Sequence, residues 1–113
     1  MKLKIFEVNT LIGEAEVFAL DPPMGVAMAK FFPAIGYNQG RHANVIDGNY
    51  VGDRSETLRV EMEDGATIKG AAISIQDFPT LDERELHILS IYEPRFDELF
   101  GDHPNFVDYW GKG

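Results

Sequence analysis

The chain has 113 residues, 44% of them hydrophobic and 12% aromatic, which is the composition of one globular domain rather than of a disordered segment. It has no cysteine, and this excludes disulfide staples, thiolate metal sites and a cysteine nucleophile. Acidic residues outnumber basic ones by 19 to 10, a formal net charge of −9, so phosphate backbones are repelled and nucleic-acid binding is not expected.

Leu3 to Val8 reads as a first strand. Asn9, Thr10, Leu11, Ile12 and Gly13 lead into a second, Glu14 to Leu20, and the Asn and Gly between them point to a hairpin. Alternation places Ala15, Val17 and Ala19 on one face of the second strand, with Glu14, Glu16, Phe18 and Leu20 on the other.

Asp21 to Pro33 admits two readings. In a helix, Asp21 is the cap, Pro22 opens the first turn, and Met24, Met28 and Phe31 share a face. In a strand, Asp21-Pro22-Pro23 is a turn, and Met24, Val26 and Met28 oppose Gly25, Ala27 and Ala29. Gly25 would cost a short helix about 1 kcal/mol relative to Ala, and Pro33 biases Phe32 toward extended backbone. Ala27 to Lys30 are good helix formers, but the strand is the expectation.

Ala34 to Ser55 reads as irregular, with Gly36, Gly40, Gly48 and Gly52 as punctuation, a turn at Asp47-Gly48 and one short strand from Ala43 to Ile46. Connections of this length are uncommon in small domains and are often functional. Thr57 to Glu63 alternates cleanly, with Leu58, Val60 and Met62 inward and Arg59, Glu61 and Glu63 outward. Asp64-Gly65 marks a hairpin turn, after which Ala66 to Gln76 returns as one longer strand with a bulge or bend at Gly70.

Thr80 and Glu83 fit a capping box, so a single helical turn is expected there. Glu85 to Tyr92 supplies a last strand, and Pro94 to Phe100 a short helix with Phe96, Leu99 and Phe100 as its apolar stripe. Phe106, Tyr109 and Trp110 are expected to close one end of the core. The sum is a mainly β fold over residues 1–113 as a single domain: a small antiparallel barrel or sandwich of six to seven strands with short C-terminal helices.

No catalytic signature emerges. The three histidines, His42, His87 and His103, lack metal-ligand spacing. The stretch from Asp47 begins like a calcium loop but has Val51 and Leu58 where oxygen ligands are required. No serine occupies a nucleophile elbow, and the glycines match neither the dinucleotide fingerprint nor the P-loop. The polar groups of the central loop that suit a small ligand are Arg41, His42, Asp47, Tyr50 and Arg54. No motif is specific enough to name a family.

The favoured reading is a small acidic protein-binding module of inhibitor, immunity or adaptor type, steered toward a basic protein partner, with Glu56, Glu61, Glu63 and Asp64 in its acidic face. One alternative is a small-molecule-binding protein or enzyme with its site in residues 34–55. The other is a structural homo-oligomer unit. No cofactor and no metal are expected. An acidic residue close behind Met1 argues against a signal peptide, and no apolar run reaches membrane-spanning length, so a cytoplasmic protein without membrane contact is expected.

Overall fold

The structure, a computed structural model, describes residues 1–53, 55–101 and 103–104. The described residues form one mixed nine-stranded sheet. Its strands are β1 Lys2–Glu7, β2 Thr10–Asp21, β3 Val26–Pro33, β4 Val45–Ile46, β5 Asn49–Tyr50, β6 Leu58–Met62, β7 Thr67–Ile68, β8 Ala72–Phe78 and β9 Glu83–Leu89. They lie in the order β5-β4-β8-β9-β3-β2-β1-β6-β7. The fold is therefore mainly β, as expected. It differs from the expectation in strand number and in one pairing: β4 runs parallel to β8 while every other pair is antiparallel.

With helices of only four and five residues among those described, this sheet has no helical layer to cover a face and buries one by curling on itself. Inward residues of β1, β2, β3, β6, β7, β8 and β9 contribute to one apolar core. Leu58 and Ile68, from one end of the strand order, line the same small cleft as Ala72 and Ile73, from near the other. The architecture is therefore barrel-like, with a seam between β6–β7 and β8, and not two stacked sheets. Two irregularities in β2 help it bend. The register with β1 shifts between Ile5 and Phe6, and the register with β3 shifts between Val17 and Ala19. The second shift exchanges two faces: Leu20 is buried and Ala19 is not, the reverse of simple alternation.

The stretch from Asp21 resolves as a 3-10 turn, Pro22–Met24, followed by β3, with Gly25 in the left-handed region at φ 64°. Ala27, Ala29 and Phe31 point inward. The expected long strand Ala66 to Gln76 is two strands. Between them the chain crosses beside the end of β9, where Ala71 N–H donates to Leu89 O at 2.7 Å. A Cβ on Gly70 would stand 2.5 Å from that carbonyl, so the crossing requires glycine.

The central segment is more regular than its composition suggests. It holds a short helix, α1 Gln39–His42, and the β4–β5 hairpin, closed by Asp47 and Gly48 with φ of 48° and 83°. The helical turn expected at Thr80 is absent: Asp82 has a φ of 51°, and the Thr80 hydroxyl donates to Asp47 instead of capping a helix. At the C-terminal side, α2 spans Phe96–Phe100 and buries Phe100, with Phe96 and Leu99 packed beside it. Arg54 and the Phe106, Tyr109 and Trp110 cluster lie outside the described residues. No helix among the described residues is long and apolar enough to cross a membrane.

Candidate functional site

Three inward rows of the barrel end in charged side chains. On β1 the row is Leu3, Ile5, Glu7; on β8 it is Ile73, Ile75, Asp77; on β9 it is Ile88, Leu86, Arg84. The central loop supplies the groups that meet them. Asn38 caps α1, its Oδ1 accepting the Arg41 N–H at 3.1 Å, while its own N–H donates to His42 Nδ1 at 2.9 Å. Because Nδ1 accepts, a neutral His42 carries its proton on Nε2. Nε2 lies 3.3 Å from Glu7 Oε1, off the line of a good hydrogen bond.

Arg41 Nε donates to both oxygens of Glu7 at 2.8 Å. That hydrogen bond is the main reason the Glu7 carboxyl is held below the usual carboxylate range. Next to His42, at 5.8 Å between ring centroids, is Tyr37, whose hydroxyl donates to Asp77 Oδ2 at 2.7 Å. Burial first, and the Asp77 carboxylate second, push the Tyr37 phenol above its ordinary value, so it stays neutral and donates. Arg84 Nε donates to the same Asp77 oxygen at 3.2 Å, and its Nη1 to Asp82 at 3.4 Å.

A polar chain, Arg41–Glu7–His42–Tyr37–Asp77–Arg84, therefore closes one end of the interior. Asp77 is 0% exposed and His42 2%. Their Oδ1 and Nε2 atoms have no hydrogen-bond partner among the described residues. The chain fastens the central loop and the turn before β9 to the barrel. His42 and Asp77 within it are sealed from solvent, so its chemistry is that of an anchor.

Of the loop residues singled out in the sequence, Arg41 and His42 converge on Glu7. Asp47 stands apart, bound to Thr80, and Tyr50 is 70% exposed on β5. Glu7, Tyr37, Asp77 and Arg84 escaped sequence reasoning. A signal for Asp77 was available, since it continues the inward alternation of Ile73 and Ile75.

The outer face of the sheet has a different order. Strand register places Lys2 opposite Glu16, Glu16 opposite Lys30, Lys30 opposite Glu85, and Glu85 opposite Gln76. A second row runs Glu61, Lys4, Glu14, Phe32. Each charge thus faces its opposite across a strand, an arrangement that favours this register over a slipped one. Among the described residues nothing covers this face.

Two clefts adjoin on the outer face and share Phe32. One, of about 430 Å³, is lined by Lys2, Lys4, Glu14, Glu16 and Glu63. The other, of about 450 Å³, is lined by Phe18, Lys30, Asp82, Glu83, Arg84 and Glu85. Phe18 and Phe32 are 46% and 54% exposed. Among the described residues no group of His, Cys, Asp and Glu is arranged to hold a metal ion. No family model, no curated protein and no solved structure matches the chain.

Proposed function

We propose that the protein is a small acidic protein-binding module, of inhibitor, immunity or adaptor type, that docks through the outer face of β1, β2, β3 and β9. The observation that carries this reading is the pair of half-exposed phenylalanines, Phe18 and Phe32, on an uncovered sheet face with two adjoining clefts. Aromatic anchors among polar neighbours are what a protein interface uses to gain affinity, and a face serving solubility alone has no need of them. The net charge of −9 opposes stacking of identical copies and favours a basic partner. The acidic hairpin residues Glu63 and Asp64 stand exposed beside the first cleft and extend the attraction.

The test is retention of a partner from native lysate at low salt by immobilised protein, compared with a Phe18→Ser, Phe32→Ser double variant. Both positions face solvent, so circular dichroism of the variant should match the wild type. A partner held by the wild type and lost by the variant supports the reading. No partner at low salt, or equal retention by both proteins, overturns it.

A further inference from the structure

The alternation on the outer face breaks at two positions: Gln76, opposite a Glu85 already bound by His87, and Phe32. The row Glu61, Lys4, Glu14 calls for a cation next, and the residue there is Phe32. Continuing the β3–β9 register two residues beyond Lys30 and Glu85 puts Glu83 on the far side of Phe32, and both residues line the same cleft. Phe32 thus presents an exposed ring between two exposed carboxylates, Glu14 and Glu83, neither of which has an ion-pair partner among the described residues.

We propose that this position receives a basic side chain of the partner, arginine in preference to lysine, stacked on Phe32 and flanked by Glu14 and Glu83. The proposal rests on the protein-binding reading above and names the partner's chemistry at that face. A guanidinium is planar, lies against an aromatic ring and forks to carboxylates, and an ammonium does only part of this. The protein builds the same unit once from its own residues. Arg59 lies 4.9 Å over the Phe6 ring, and its Nε donates to Glu61. In that unit the cation is intramolecular; at Phe32 the cation has to come from outside. The cleft beside Phe32 is large enough for a side chain and open to solvent. Of the neighbouring cations, Lys4 sits between Glu14 and Glu61, and Lys30 sits in the adjacent row between Glu16 and Glu85.

The experiment is an NMR titration of isotope-labelled full-length protein with a hexa-arginine peptide at low salt, with hexa-lysine and hexa-glutamate for comparison. Saturable shifts concentrated at Glu14, Phe32 and Glu83 are expected, with hexa-lysine weaker and hexa-glutamate silent there. Phe32→Ala should weaken hexa-arginine by about tenfold. Phe32→Lys, which completes the alternation from within, should remain folded and abolish the localised shifts. Shifts spread evenly over all acidic residues, a peptide response unchanged in Phe32→Ala, or hexa-glutamate binding at the site would overturn the proposal. The two claims fail separately. If partner retention depends on the phenylalanines while hexa-arginine ignores Phe32, the cation site falls and the docking face stands. If retention ignores the phenylalanines, the docking face falls whatever the peptide does.

Discussion

Asp77 occupies an inward position in β8 that its neighbours Ile73 and Ile75 fill with hydrocarbon, and only its partners make that tolerable. Tyr37 and Arg84 both donate to Oδ2. Truncation by Asp77→Ala leaves both donors without their shared acceptor. We expect a loss of about 2–3 kcal/mol, below that for a wholly buried pair because Arg84 still reaches solvent. A fall in the urea midpoint at unchanged slope would register it. Glu7 makes a pH-dependent contribution of a different kind. Its folded-state carboxyl is held down, chiefly by the Arg41 hydrogen bond, so folding favours its ionised form. That contribution is complete above the unfolded carboxyl value and disappears as pH falls through the lower folded one. Glu7→Gln has no proton to take up and should show a flatter acid limb across this window, measured as urea midpoint against pH. Tyr37 has the opposite sign. Its raised value means stability held below the ordinary phenol range and lost as pH climbs beyond it, a limb that Tyr37→Phe should lack.

Strands and hairpins were mostly legible as elements because their signals are local. Asp64-Gly65 and the alternation of Leu58, Val60 and Met62 announce a hairpin without reference to anything distant. The choice of strand for Val26–Pro33 rested on Gly25 and Pro33, two residues whose backbone preferences act on their own segment. Register was the part that could not be read. Whether Glu14 faces Lys4 or a neighbour depends on where the shifts fall, so the charge rows, and the place of Phe32 in them, appear only once strands pair. The face swap of Ala19 and Leu20 has the same origin. The polar chain was hidden for a related reason: Arg41 and His42 were visible as a pair, but Glu7 lies 34 positions from Arg41 and Asp77 lies 40 from Tyr37. Glycines give an element-scale test of the geometry. At Gly13 a Cβ would run into the Phe31 ring and the Phe32 carbonyl, whereas at Gly48 the space is open and only the positive φ of 83° resists. Gly13→Ala should therefore cost about 1–3 kcal/mol by overpacking, and Gly48→Ala about 1–2 kcal/mol by backbone strain. Thermal unfolding should separate them further: the first moves the Phe31 environment in near-UV circular dichroism and the second leaves it in place.

At the scale of the whole molecule, charge and apolar surface divide the work in the recognition that we propose. The outer face holds four cations, Lys2, Lys4, Lys30 and Arg59, against six glutamates, Glu14, Glu16, Glu61, Glu63, Glu83 and Glu85. The proposed docking face is therefore acidic in its own right, within a chain of net charge −9. Such a field acts over a distance set by ionic strength, about 10 Å at 0.1 M salt, and so would govern encounter with the proposed basic partner. In the proposed complex Phe18 and Phe32 would act only at contact, through desolvation, and so would govern how long it lasts. The two contributions should separate in binding kinetics with the partner that the module retains. Raising salt from about 0.05 to about 0.5 M should lower the association rate by about tenfold or more and change dissociation far less. Glu14→Gln, Glu63→Gln, Glu83→Gln together should flatten that salt dependence. Phe18→Ala should leave the salt dependence intact and speed dissociation. If instead the phenylalanine variant slowed association and the glutamine variant altered only dissociation, recognition would not divide between field and contact as the placement of these residues implies.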